Sequence, residues 1–304
     1  SDVLVETNSM WIGNDPSSST DNAQFNVAVG YNALEVITTG DNNVAVGYDA
    51  GGDLTTGSSN ILIGYLAGNS ITTSENNVAI GQDALQSLVN GGSGSGGGYN
   101  VAIGRQALQT FTGTGGNAGY NVGIGYNAGD NLSTGTKNIF LGPSAGDAVT
   151  SGAKNILIGY NSESSAVDTD NEIVIGDSAV GHGANTIVLG NADHTAIHPA
   201  DDNGVDLGSA SYSFKDAHVQ GVVNAGSLDV AGDADIDGTL EADAITVNGT
   251  TLQVVVEDHV GAMLDGTETG ISVSYDTSNN NLDFVVADSD FALTGDVTGS
   301  GTQT

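Results

Sequence analysis

From the N-terminus to position 190 one hydrophobic pattern returns at near-constant spacing. Its reference form is Asn43, Val44, Ala45, Val46 and Gly47: asparagine, large apolar, small, large apolar, glycine. The valines alternate with the alanine at period two, which predicts a short strand with both valines on one face and the alanine on the other. Val27 and Val29, Ile61 and Ile63, Val101 and Ile103, and Ile156 and Ile158 repeat the alternation. The closing glycines fall at positions 13, 30, 47, 64, 81, 104, 125, 142, 159, 176 and 190. Seven of their ten intervals are 17 residues, two are stretched to 23 and 21, and the last is 14. A fixed period of this kind is the signature of a solenoid.

The same residue types recur at fixed offsets from the glycine. Three residues past it come Ala33, Ala50, Ala67, Ala84, Ala107, Ala128 and Ala145, with Ser162 as the conservative exception, so that position has no room for bulk. Seven residues past it come Ile37, Leu54, Ile71, Leu88, Phe111, Leu132 and Val149, which predict a second, shorter strand in each coil. Thr38, Thr39 and Gly40, then Thr55, Thr56 and Gly57, make the opposite turn. The structural glycines Gly30, Gly47, Gly64, Gly81, Gly104, Gly125, Gly142, Gly159 and Gly176 are expected to supply a positive φ or a close backbone approach at a corner. One coil cannot bury its apolar face alone, so the stack is the folding unit. At ~4.8 Å per coil it makes a rod roughly 50 Å long.

Composition narrows the function. Of 304 residues 46 are glycine, 3 are proline and 4 are Lys or Arg, and no long stretch has helical apolar spacing. A net charge of −33 argues against nucleic acid as a partner, because its phosphates need a basic footprint. It also disfavours an anionic membrane. No run of apolar residues is long enough to span a bilayer as a helix, so no membrane insertion is expected, and no signal peptide is visible, although a mature or trimmed chain would have lost one. The chain has no cysteine, which removes disulfides and thiol chemistry.

Near residue 191 the organisation changes. Residues 1 to 190 carry 17 acidic side chains, and the 114 residues that follow carry 20 with Lys215 as their one Lys or Arg. Leu228, Val230, Ala234, Ile236, Leu240, Ala244, Ile245 and Val247 predict short alternating strands broken by Gly226, Gly232, Gly238 and Gly249. Such strands are too small to fold singly and need equivalents from other chains along a common axis. The sequence thus divides into a repeat β-roll solenoid over 1–200, a junction motif over 201–224, β shaft repeats over 225–250 and a small β module over 251–304.

These motifs resemble those of known fibres. Asp206-Leu207-Gly208-Ser209 leading into Phe214-Lys215-Asp216 resembles a junction motif of bacteriophage tail fibres, and Ser227 to Thr250 resembles the shaft repeats of such fibres. Val254 to Val286 is similar to a small module of phage tail and fibre proteins. The front 190 residues resemble the left-handed parallel β-roll heads of trimeric autotransporter adhesins. They also resemble the arrays of phage and bacterial fibres that end in an intramolecular chaperone. The adhesin heads have a shorter coil, and no chaperone domain, coiled-coil heptad, translocator barrel or virion-anchoring domain is visible. The last residues, Asp296 to Gly301, read like one unit of a longer repeat, as in a fragment or processed chain.

Candidate chemistry is sparse, and no catalytic residue, cofactor or metal site is assigned. His194 and His198, with Asp193, Asp201 and Asp202 nearby, have ligand types that suit zinc or nickel on a trimer axis. Pro199 argues against the helix their spacing requires, which favours a connecting loop. His182, His218 and His259 are isolated. Asp233, Asp235 and Asp237 have the ligand type for calcium, but alternation with Ala234 and Ile236 places them on a solvated strand face. Glycoside hydrolysis requires two carboxylates across a groove, usually with aromatic platforms; aromatics are 5% of the chain, and no carboxylate pair stands out. No serine sits in a nucleophile elbow, and phosphate-loop and dinucleotide patterns are absent.

The two stretched intervals are the local clue to specificity. Their insertions follow Leu88 and Phe111 and form neighbouring loops, Gly91 to Tyr99 and Gly113 to Tyr120. Ser93, Ser95, Tyr99, Thr114, Asn117 and Tyr120 are the candidate receptor-contact residues, since per-repeat insertions often make the binding face. Glycine loops without a partner are the competing reading. Tyr31, Tyr48, Tyr65, Tyr126 and Tyr160, each directly after a closing glycine, form either a structural ladder or a polysaccharide stripe. Interruption by Gln82, Arg105, Pro143 and Asp177 favours structure.

The expected whole is an all-β protein, a parallel β-roll solenoid of 17-residue coils followed by a trimeric β shaft, forming an elongated homotrimeric fibre. Its resemblance implies a phage tail fibre or related virion appendage. Its partners would be itself, other virion or fibre proteins at the ends, and a host-surface glycan or protein receptor. A trimeric adhesin on the bacterial cell surface is the first alternative, and a monomeric ligand- or calcium-binding β-solenoid is the second. Against the latter, no glycine-rich nonapeptide array and no regular Thr-x-Thr face occurs.

Overall fold

The computed structural model describes residues 3–6, 8–13, 22–89, 98–113, 119–198, 207, 209–225, 227–242, 244–248, 250–256, 259, 271–276 and 281–286. The chain divides into two compact units, Ser1–Leu207 and Gly208–Thr304.

The first unit is a parallel β-solenoid. Its strands are β1 (Val3–Glu6), β2 (Ser9–Ile12), β3 (Val27–Val29), β4 (Val44–Val46), β5 (Ile61–Ile63) and β6 (Val78–Ile80). They continue as β7 (Val101–Ile103), β8 (Val122–Ile124), β9 (Ile139–Leu141), β10 (Ile156–Ile158), β11 (Ile173–Ile175) and β12 (Ile187–Leu189). All lie in chain order in one 12-stranded sheet. From β2 to β12 each strand pairs in parallel with the next, equivalent residue against equivalent residue, as in Val44↔Ile61, Ala45↔Leu62 and Val46↔Ile63. β1 folds back antiparallel on β2. The stretched intervals leave the register intact: Val78 pairs with Val101 and Val101 with Val122.

The middle residue of each strand points inward. Ala28, Ala45, Leu62, Ala79, Ala102, Phe140, Leu157 and Val174 are buried, while their aliphatic neighbours on either side are half-buried or exposed. The alanines three residues past the glycine, and Ile37, Leu54, Ile71, Leu88, Phe111, Leu132 and Val149 seven past it, are also buried and complete the core.

Among the described residues the expected second strand is not formed. Turns occupy that side of the coil, although it is laddered by bonds such as Asp49 N to Tyr31 O (2.8 Å), Gly51 N to Ala67 O (3.0 Å) and Thr55 N to Thr72 O (2.8 Å). Backbone conformation explains the difference. Two and four residues past the closing glycine the chain enters the left-handed region, as at Asp49 (φ 56°) and Gly51 (φ 59°), or Asp83 (φ 56°) and Leu85 (φ 51°). A left-handed residue every second position breaks an extended strand, while the amides still reach the preceding and the next coil in turn.

Core volume is balanced both within a coil and between neighbouring coils. A Cβ on Gly51 or on Gly68 would lie 2.6 Å from a δ-methyl of Leu62, so Leu62 fills the space left by both glycines. Phe140 does the same between Gly129 and Gly146, where an added Cβ would overlap its ring at both. Where the strand offers only Ala79 or Ala102, the same coil supplies Leu85 or Leu108 instead. Interlocking of this kind reaches the close packing that protein interiors need. Phe140→Ala is therefore expected to lose about 3–5 kcal/mol, since two glycine-lined coils cannot collapse into the void. Urea denaturation measures it, and a loss below about 1 kcal/mol would contradict the packing.

The second unit holds two short antiparallel pairs among its described residues. They are β13 (Thr246–Val247) with β14 (Thr250–Thr251), and β15 (Ile271–Asp276) with β16 (Asn281–Val286). Of the alternating strands expected over 225–250, Thr246–Val247 is formed, and none is formed among the described residues from 227 to 245. A single chain offers them no partner strand, and isolated short strands do not hold.

Candidate functional site: polar columns and interaction surfaces

Sequence reasoning missed a buried polar column that runs through the solenoid. The asparagine before each strand is buried, and Asn26, Asn43, Asn60, Asn77, Asn100, Asn121, Asn138 and Asn155 stack as one column. From Asn43 to Asn155 each backbone amide donates to Oδ1 of the preceding asparagine. Asn60 accepts at Oδ1 from Asn77 N (3.0 Å) and Asn77 Nδ2 (3.2 Å), and donates Nδ2 to Asn43 Oδ1 (3.1 Å) and Ser74 O (3.0 Å). The amide thereby satisfies buried backbone groups that no strand reaches. The signal was present: asparagine holds this place in eight consecutive coils although the position is polar and abuts a strand.

The column is closed at both ends by different chemistry. Ser9 Oγ accepts from Asn26 N (2.9 Å) at the first coil. At the last, Glu172 replaces asparagine: its amide donates to Asn155 Oδ1 (2.9 Å), and its buried carboxylate accepts from Ser164 Oγ, Ser165 N (3.0 Å) and Gly183 N (2.8 Å). Burial pushes the Glu172 carboxyl up, but the bonds from Ser164, Ser165 and Gly183 outweigh it and hold its pKa below the ordinary value.

Glu163 behaves in the opposite sense. Burial pushes its carboxyl up to about 7, against the bond from the Ala148 amide and with the help of the Asp147 charge. The folded chain then holds this proton more tightly than the unfolded chain, so stability falls as pH rises from the ordinary 4.5 through about 7. Glu163→Gln should flatten this part of the pH dependence and melt higher than the parent at pH 8, as thermal melts across the range would show. Equal melting of the two proteins at pH 8 would contradict it.

Of the candidate receptor-contact residues, Ser93, Ser95, Thr114 and Asn117 lie outside the described residues. Tyr99 and Tyr120 are brought together: their rings stack with centroids 5.2 Å apart and planes at 16°, and both are about half exposed. They occupy one register position, five residues before Gly104 and Gly125. Equality of that offset was the legible sign of the pair.

The tyrosine stripe resolves into a stack. Tyr31 on Tyr48 and Tyr48 on Tyr65 have centroids 5.6 and 5.3 Å apart, with interplanar angles of 16° and 14°. Arg105 continues the row, its guanidinium 5.5 Å from the Tyr126 ring centroid and Nη1 donating to Tyr126 Oη at 3.3 Å. Stacked rings occupy each other's faces, which are the surfaces a sugar ring would need, so the row supports its own coils.

The remaining candidates stay apart. His194 Nδ1 accepts from Asn191 N at 3.0 Å, and His198 and Asp233, Asp235 and Asp237 are exposed. Asp201 and Asp202 lie outside the described residues. Among the described residues no group of three or more His, Cys, Asp or Glu side chains is placed to hold a metal ion, and no helix is long and apolar enough to cross a membrane. The structural glycines have φ from 133° at Gly81 to 149° at Gly176.

A run of uncovered apolar side chains lies in the second unit. From position 209 to 256 no described residue is buried. Phe214 (63% exposed), Val222 (90%), Leu228 (78%) and Leu240 (57%) are among its open side chains. Comparison of the chain with protein-family models, with curated proteins and with solved structures gave no match.

Proposed function

We propose that the chain is a structural fibre protein of a phage virion, a tail fibre or related appendage, that works as a homotrimer and attaches the particle to a host surface through repeated weak contacts. The observation that carries this reading is the run of open apolar side chains over 209–256. A soluble chain does not leave so many large apolar groups in water, and an uncovered series marks an association site. Its short alternating pattern suits strands completed by equivalent strands of other copies around an axis, which gives the expected shaft. The parallel solenoid supports the reading as a stiff spacer whose stability grows coil by coil. Three copies of any receptor contact add avidity without a strong single site.

Immunogold labelling with an antibody to the chain tests where it works. Gold on virion appendages supports the proposal. Gold on the bacterial envelope, in cells free of phage, would replace it by the trimeric adhesin. A monomer that unfolds when calcium is chelated would replace both by the ligand-binding solenoid.

A further inference from the structure

Five residues before each closing glycine the coil turns a corner in the left-handed region, and the side chains of these corners form one exposed column. Asparagine, which tolerates this conformation better than other residues with a Cβ, stands there at Asn42, Asn76, Asn171 and Asn185. Phe25 and Ser59 depart singly. Over four consecutive coils the column then changes to Tyr99, Tyr120, Lys137 and Lys154, with φ of 63°, 50°, 62° and 62°. Left-handed backbone is unfavourable for tyrosine and lysine, so this run stands against local preference and needs another cause. Tyr99 and Tyr120 also close the two stretched intervals, so the run begins where the repeat is lengthened.

The surroundings change over the same coils. The residue before the corner is acidic at Asp41, Glu75 and Asp170, outside the run, but within it is Gly98, Gly119, Thr136 and Ala153. Two of the four Lys and Arg residues of a chain of net charge −33 thus stand side by side in a window free of acid. Ladder bonds keep the corners in register on adjacent coils: Gly119 N to Gly98 O (3.0 Å), Lys137 N to Gly119 O (2.9 Å) and Lys154 N to Thr136 O (2.9 Å). Glu75, whose carbonyl accepts from Tyr99 N (3.2 Å), and Asp170, whose Oδ1 accepts from Ala153 N (2.7 Å), bound the window at its two ends. Both lysines are exposed, and the stacked tyrosine rings are half exposed. Among the described residues neither lysine side chain and neither tyrosine hydroxyl has an ion-pair or hydrogen-bond partner.

We infer that this strip binds an acidic polysaccharide, a chain of sugars that carries carboxylate or phosphate groups. Lys137 and Lys154 supply two ammonium groups on successive coils, ~4.8 Å apart along the stack, for the charges. Tyr99 and Tyr120 supply hydroxyls for hydrogen bonds and apolar ring edges for the uncharged parts of the sugars. Three coil steps make the strip roughly 14 Å long, an extended site suited to a polymer. The acidic surface repels an anion elsewhere, which directs it to this window. Nucleic acid fits less well: two lysines are a small footprint for a phosphate backbone, and rings stacked on each other do not offer their faces to bases. The inference rests on the host-attachment reading above for the source of the glycan, and on the strip alone for its chemistry.

Asparagine, the residue of the neighbouring coils, removes each side chain while keeping its corner. Lys137→Asn with Lys154→Asn, and Tyr99→Asn with Tyr120→Asn, should therefore melt no lower than the parent. Titration calorimetry of the full chain at low ionic strength, with polygalacturonate and with phosphorylated dextran, reads the binding, and unmodified dextran is the neutral reference. At least one charged polymer should bind, and which one distinguishes carboxylate from phosphate. The lysine pair of substitutions should weaken it tenfold or more, the tyrosine pair should weaken it too, and high salt should abolish it. Lys215→Asn, exposed in the second unit, should leave it unchanged. Binding of neither charged polymer, equal binding by the parent and the lysine variant, or equal binding of unmodified dextran overturns the inference. Tighter binding of single-stranded oligothymidylate, lost in the lysine variant, would assign the strip to nucleic acid and overturn it as well. Failure here with gold on virion appendages leaves the fibre reading standing, whereas binding lost in the lysine variant with gold on the bacterial envelope keeps the strip and overturns the fibre reading.

Discussion

Gly64→Ala is expected to destabilise the solenoid by more than about 4 kcal/mol, a loss that few single substitutions reach. Two effects combine. Gly64 sits at φ 139°, a region reserved for glycine, where an L residue costs on the order of 1–3 kcal/mol. In addition, a Cβ there would overlap the carbonyl oxygen of Gly81 and lie 2.6 Å from its carbon, so the two coils must separate and strain bonds such as Gly81 N to Ile63 O (2.7 Å). The obstacle is backbone, which cannot rotate aside as a side chain would. Thr56→Ala, at an exposed position of the preceding coil, should change stability by less than about 0.5 kcal/mol. Thermal melts of the three proteins check this, and a Gly64→Ala loss below 1 kcal/mol would contradict the close coil contact.

Asn60→Ala is the second large effect, expected at about 3–5 kcal/mol. Truncation removes the acceptor of the buried Asn77 N (3.0 Å) and one acceptor of Asn77 Nδ2 (3.2 Å), and breaks the rung to Asn43 Oδ1 (3.1 Å). Each buried polar group left unpaired costs about 1–3 kcal/mol, and the emptied volume adds to it. Amide hydrogen exchange provides a local readout: the Asn77 amide should lose protection in the variant, while that of Asn138, several coils away, should keep it. Loss spread evenly along the column would show that the coils unfold as one unit.

Much of the solenoid was legible because its information is periodic. Glycine spacing located β2–β12, each ending directly before a closing glycine, and the alternation around Ala45 gave the two faces. Which face is inside was less legible, because Val44 and Val46 are the more hydrophobic pair and yet lie outward. The interior is filled by Ile37, Leu54 and their equivalents, leaving room only for small middle residues unless a neighbouring coil offers glycine, as around Leu62 and Phe140. The second strand failed for a conformational reason that residue types conceal. Leu85 and Leu108 adopt φ of 51° and 50°, a region unfavourable for leucine that only the stack imposes.

The asparagine column was visible as a letter of the repeat but not as a function, since only the coil-to-coil distance turns a polar residue into a rung. Glu172 was equally hidden: its role follows from being the residue at which that column ends. In the candidate surfaces, sequence spacing placed Tyr99 with Tyr120, and it placed the tyrosine stripe, but that the rings stack face to face was not legible in it. For the second unit the alternating pattern over 225–250 promised a series of strands, but among the described residues there only Thr246–Val247 and Thr250 are in strands, and Leu228 and Leu240 are open.

Sedimentation equilibrium of the full chain, with and without a calcium chelator, tests the central claim most directly. The account predicts a mass three times that of one chain at micromolar concentration, unchanged by the chelator. A single-chain mass would contradict it, because the open apolar residues over 209–256 would then lie in water.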